Sequence, residues 1–185
     1  MTKKIKTLSI LSILGAGVLA FYLIFVKSVQ ATPTQNFTGE VIKYYNAYLP
    51  DYLVTEITKS VTKWTDDRNV SLLTILAIMA QESHFEPLET GKDDDIGLMQ
   101  LTEIALLELE RKYGVSIDRT KLYAVDDNIK WGTLYYRYCA MRANNNRFEA
   151  ISRYNKTTDW HLAEDYANEV LVKRAEIVQI YEKYD

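Results

Sequence analysis

The apolar run Ile75-Leu76-Ala77-Ile78-Met79-Ala80 is followed by Gln81 and then by Glu82, a carboxylate at the end of a segment that otherwise belongs in a core. A Glu that leaves water loses its hydration, and either finds partners or takes up a proton. Such a carboxyl can act as a general acid and, once ionised, as a general base. Alone, Glu82 also fits a plainer reading, a helix-end Glu turned to solvent or paired with a cation. Its surroundings change the balance. Ser83 can donate a hydrogen bond beside it, and Asp95-Ile96-Gly97-Leu98-Met99-Gln100 begins thirteen positions on. Much later, Tyr154 and Asn155 fall between helical stretches.

Other chemistries find little support. The only histidines are His84 and His161 and the only cysteine is Cys139, so neither a zinc site nor an intrachain disulfide is expected. Asp93, Asp94 and Asp95 lack the alternating ligands and closing Glu of a calcium loop. No metal and no cofactor are expected. A net charge of -3 provides no basic footprint for nucleic acid. Fourteen tyrosines and three tryptophans suit stacking against sugars, although stripe residues such as Trp131 and Tyr135 read as core. Trp160 lies at a helix start beside the Tyr154-Asn155 loop.

The elements that must position these residues are helical. Leu53, Val54, Ile57, Val61 and Trp64 form one stripe after Pro50, with a break expected at Thr65–Asn69. Ser71–Ser83 is apolar nearly all round and predicts a central buried helix. A polar loop follows. Thr102 can cap a helix that ends near Tyr113-Gly114. Asp126 can cap the next helix, a short helix reaches Tyr154, and Asp159 can cap a long last one. There is no internal repeat.

The N-terminus has its own signal. Lys3, Lys4 and Lys6 precede an uncharged run from Thr7 to Val26, the length of a membrane-spanning helix, and Val29-Gln30-Ala31 resembles a signal-peptidase site. Both readings place the rest of the chain outside the cytoplasmic membrane, either anchored or released by cleavage after Ala31. The expected organisation is an anchor or signal over 1–31, a polar tether over 32–38 and one globular domain over 39–185.

The motifs QESHFEP, GLMQ, DDNIKWGTLYY, RYN and EDYANEV occur in an order that resembles the soluble-type lytic transglycosylases, the SLT domain of the goose-lysozyme-like superfamily. The likeness runs from about Val70 to Arg174. It implies a mainly α, α+β lysozyme-like fold with a long active-site loop, and cleavage of peptidoglycan glycan strands. It also implies Glu82 as catalytic acid and base, with Ser83 as its hydrogen-bonding companion. Gly97, Met99 and Gln100 would form a cleft motif, Tyr154 and Asn155 a cleft pair, and Tyr166 would help to hold Glu82. Asn128 matches a structural helix-start position.

Two departures stand out. Asp94-Asp95 replaces the usual Gly-Ala before GLMQ. The Asp95-Ile96-Gly97 form resembles the small branch associated with secretion and conjugation machines, which would make such an apparatus a partner. It also resembles animal lysozymes, where that Asp is a second catalytic carboxylate. The second departure is Lys156-Thr157-Thr158-Asp159-Trp160, which stands where the family often has a small, glycine-bearing stretch.

Three alternatives to a transglycosylase remain open at this level. A hydrolase would use Glu82 and Asp95. A glycan-binding module would keep the fold without cleavage. A membrane-anchored interaction protein would use Glu82 only structurally.

Overall fold

The computed structural model describes residues 33–183. Its seven α-helices are α1 (Pro33–Tyr45), α2 (Asp51–Arg68), α3 (Leu72–Glu82), α4 (Glu103–Tyr113), α5 (Val125–Arg142), α6 (Arg147–Asn155) and α7 (Glu164–Tyr181). Short 3-10 turns lie at Arg119–Lys121 and Trp160–Ala163. From Pro33 onward the chain forms one compact unit.

The core is organised around α3. Every residue from Thr74 to Ala80 is buried, because a helix that is apolar all round has no face to leave in water. Burying Ile75, Leu76, Ile78 and Met79 contributes roughly 1.5–3 kcal/mol each. Helix α7 packs along α3, and α2 packs along α5. Helix α4 begins at Thr102, whose hydroxyl accepts the Ala105 amide at 3.0 Å, and ends at Gly114, as the sequence indicated.

Several expectations are corrected. The stretch expected as a tether opens α1 instead. Its anchor is Phe37, buried one turn before Val41 and set edge-on to Tyr181 with ring centroids 5.1 Å apart. Helix α2 runs through the expected break to Arg68 and stops at Asn69, which adopts the left-handed conformation. Polar composition alone does not end a helix. Asp126 lies in the first turn of α5 rather than at its cap, and accepts bonds from Ser60 Oγ and Trp64 Nε1, both at 2.9 Å. Asp159 makes no side-chain cap bond, because a 3-10 turn intervenes before α7.

The α+β expectation also gives way. Among the described residues there are only isolated bridges, Thr90 with Ile96 and Ile96 with Leu101. The loop reverses too tightly for a ladder, with Asp94 and Gln100 at φ 58° and 43°. The domain is mainly α-helical without a β-sheet. The membrane helix expected over Thr7–Val26 lies outside the described residues. Among those described, no helix is long and apolar enough to cross a membrane. The membrane partner and the membrane-anchored location rested on that run alone, and no described helix supports them.

Candidate active site

Glu82 is the last residue of α3, so the rigid core helix fixes its backbone while its side chain keeps partial contact with solvent. The Tyr166 hydroxyl, from α7, donates to Glu82 Oε1 at 2.5 Å. Burial pushes the Glu82 carboxyl up from 4.5 to about 7; the Tyr166 bond opposes this, and the negative charge of Asp95 adds to it. The C-terminal end of α3 carries a partial negative charge, which also disfavours the carboxylate. At neutral pH this group is poised between its acid and base forms.

Ser83, which the resemblance implies as the companion of Glu82, makes its side-chain bonds elsewhere in this structure. Its hydroxyl goes to the Leu98 carbonyl at 2.9 Å, with a longer contact to the Met79 carbonyl at 3.3 Å. It thus ties the end of α3 to the 96–101 turn. The backbone just beyond is unusual: His84 and Phe85 have φ of 49° and 63°. Left-handed conformations cost a non-glycine residue about 1–2 kcal/mol. The Phe85 ring is fully buried, and this burial holds the strained corner in place.

The 96–101 turn is fastened by Asn128 from α5. The Asn128 amide donates to the carbonyls of Ile96 and Leu122, both at 2.8 Å, and its Oδ1 accepts the Met99 amide at 2.8 Å. Gly97 has φ 73° and lies against Asn128, so a side chain there would meet both backbone strain and the Asn128 amide. Met99 is fully buried, so it reaches the site through its backbone rather than as a side-chain wall. Its side chain occupies the space that a Cβ at position 132 would need, which explains Gly132 in the middle of α5. Gln100 is half-buried and folds back, its Nε2 donating to the carbonyls of Gly97 at 2.9 Å and Glu89 at 3.2 Å.

Tyr154, near the end of α6, donates its hydroxyl to the Met99 carbonyl at 2.7 Å. Asn155 is the exposed last residue of α6. Asp95 is half-buried, and one of its oxygens is enclosed without a hydrogen-bond partner. Its pKa is raised by burial and by Asp93 and Asp94, against an opposing effect from Arg119. Among the described residues, no three His, Cys, Asp or Glu side chains gather where they could hold a metal ion.

The structure therefore joins Glu82 to Tyr166, Ser83 to Leu98, and Tyr154 to Met99, and Asn128 clamps the turn that carries Leu98 and Met99. Gln81 was not singled out in the sequence. Its Nε2 donates to Glu169 at 2.7 Å, a second rung between α3 and α7 beside the Glu82–Tyr166 pair. The i, i+3 spacing of Tyr166 and Glu169 was the available signal.

A sequence model of the transglycosylase SLT domain matches residues 59–165. No curated protein matches the chain. Among solved structures, the fold is similar to an inactive Glu-to-Gln mutant of the lytic transglycosylase Slt from Pseudomonas aeruginosa, with TM-score 0.58 and 24% identity, covering 65% of this chain and 24% of that one. It is also similar to the 70 kDa soluble lytic transglycosylase SLT70 from Escherichia coli, with TM-score 0.51 and 20% identity over 68% of this chain and 23% of that one. A complex of the 70 kDa soluble lytic transglycosylase with bulgecin A gives TM-score 0.54 and 17% identity over 78% and 25%. The chain thus spans about a quarter of the length of these proteins.

Proposed function

The chain belongs to the transglycosylase SLT domain family, and from that premise we propose that it cleaves the β-1,4 bond between N-acetylmuramic acid and N-acetylglucosamine in peptidoglycan without hydrolysis. The observation that carries the reading is Glu82: a partly enclosed carboxyl with a pKa of about 7, held by Tyr166 at the end of a rigid helix. A general acid–base group works best when its pKa lies near the working pH.

In the proposed reaction, protonated Glu82 gives its proton to the oxygen that leaves C1 of the muramyl ring. The bond from C1 to that oxygen breaks. The C6 hydroxyl of the same ring attacks C1, and ionised Glu82 removes its proton. A 1,6-anhydro bond forms, and Glu82 returns to its starting state. One carboxyl serves both steps, so no second carboxylate is required. The Tyr166 hydroxyl stabilises the ionised interval and fixes the orientation of Glu82. Tyr154, through the Met99 carbonyl, and Asn128 hold the turn that carries Gln100, while exposed Asn155 is free to meet the glycan.

A hydrolytic reading has one observation in its favour, the enclosed and unpartnered Asp95 oxygen near Glu82. A hydrolase needs a second carboxylate set against the sugar, whereas no hydrogen bond holds the enclosed Asp95 oxygen in place and Glu82 is fixed by Tyr166. The single-carboxyl route is the better fit.

The test is Glu82→Gln assayed on purified wall sacculi. The variant should fold and lose cleavage by a factor of about a hundred to ten thousand. Near-normal cleavage would remove Glu82 as the acid.

A further inference from the structure

The stretch Lys156-Thr157-Thr158-Asp159-Trp160, the second of the two departures from the resemblance, is a pinned loop. Thr157 is held twice. Its hydroxyl shares a 2.6 Å hydrogen bond with the Tyr135 hydroxyl, and its carbonyl accepts Arg153 Nη1 at 3.1 Å. The Tyr135 ring lies 5.3 Å from that of Tyr154, so the pin rests on the residue that supports the Met99 carbonyl. Arg153 is fixed in turn by Glu149, at 2.6 Å through Nη2 and 2.7 Å through Nε.

The same Arg153 guanidinium lies 5.6 Å from the centre of the Trp160 ring, and the His161 ring meets that indole edge-on at 6.1 Å. Trp160 is nevertheless half-exposed. The loop also has a defined place: it joins Asn155, at the end of α6, to the 3-10 turn leading into α7 and Tyr166. An indole backed by Arg153 therefore sits in the segment that joins the helix of Tyr154 to the helix of Tyr166. Aromatic faces stack on the apolar faces of pyranose rings, and a ring already held in place loses little freedom on doing so.

We propose that Trp160 is a specificity-determining saccharide contact, held by Arg153 and the Thr157 pin against a sugar next to the one being cleaved. This rests on the glycan-cleaving reading above and adds to it a residue and a subsite. Trp160 takes no part in proton transfer, so its contribution is to substrate binding and not to the chemical step.

Steady-state cleavage of soluble glycan strands tests this. Trp160→Ala should raise KM by a factor of about three to ten with kcat and the alkaline limb of the pH profile unchanged, and Trp160→Phe should recover most of the loss. A wild-type KM in Trp160→Ala would overturn the proposal, as would a fall in kcat at constant KM. A binding measurement guards against misfolding. N-acetylglucosamine oligosaccharide should alter the tryptophan emission of Glu82→Gln, and the change should be lost in the Glu82→Gln, Trp160→Phe double variant. An equal response in both proteins would show that Trp160 does not meet the sugar. Absence of cleavage by the wild type, with no oligosaccharide response in Glu82→Gln, would instead bring down the functional reading itself and the Trp160 contact with it.

Discussion

Glu82→Gln should stabilise the domain in neutral and alkaline solution even as it removes the proposed catalytic group. Burial raises this carboxyl from 4.5 to about 7. Between those two pH values the unfolded chain has released the proton while the folded chain still holds it. The folded state is therefore favoured most below 4.5, and it loses about 1.4 kcal/mol for each pH unit upward until the folded carboxyl ionises too. The whole loss is about 3 kcal/mol by pH 8. Because Glu82 keeps some contact with solvent, that figure is a ceiling. A glutamine does not titrate, has nearly the same shape, and can still accept the Tyr166 hydroxyl. The stability difference between variant and wild type should be small at pH 4 and grow by up to about 3 kcal/mol at pH 8, which corresponds to roughly 6–12 °C in Tm for a domain of this size. Urea unfolding of both proteins at the two pH values measures it. A difference that does not change with pH, or one that favours the wild type at pH 8, would refute the argument that Glu82 is held largely neutral by burial.

Three further outcomes follow from the same geometry. Tyr166→Phe removes a donor to the ionised form of Glu82, so the alkaline limb of cleavage should move upward by about one pH unit; a downward shift in the pH–rate profile would contradict the assigned direction of that bond. Asp95→Asn removes a like charge and should move the same limb slightly downward, with less than about a tenfold loss of rate, whereas a true second carboxylate would cost a hundredfold or more. Asn128→Leu leaves two carbonyls and the Met99 amide without their partner, and should destabilise the domain by at least about 3 kcal/mol in chemical denaturation; a loss under 1 kcal/mol would show that the turn does not depend on this clamp.

What was legible in the sequence was the part written in short-range chemistry. The apolar run before Glu82 dictates a buried helix whatever surrounds it, and Thr102 and Gly114 mark the ends of α4 because capping involves only neighbours along the chain. Errors came where a distant partner decides the outcome. Residues 32–38 look like a polar tether until Phe37 meets Tyr181 across the fold. Asp126 looks like a cap until Ser60 and Trp64 claim its carboxylate. Met99 belongs to the cleft motif that the resemblance implies, and nothing in the sequence shows that Gly132 makes room to bury its side chain. Ser83 shows the same limit at the site: it follows Glu82 in the chain, yet its bond runs to Leu98, fifteen residues away.

The chemistry of the cleavage products tests the central claim most directly. After the protein digests purified peptidoglycan sacculi, mass spectrometry of the released fragments should find 1,6-anhydro-muramyl ends, each fragment lighter by one water than its hydrolytic counterpart. That is the result required if Glu82 alone serves as acid and then base while the muramyl C6 hydroxyl is the nucleophile. Fragments carrying ordinary reducing ends would mean that water had attacked C1, and would contradict the transglycosylase reading whatever the variants at Glu82 and Asp95 did.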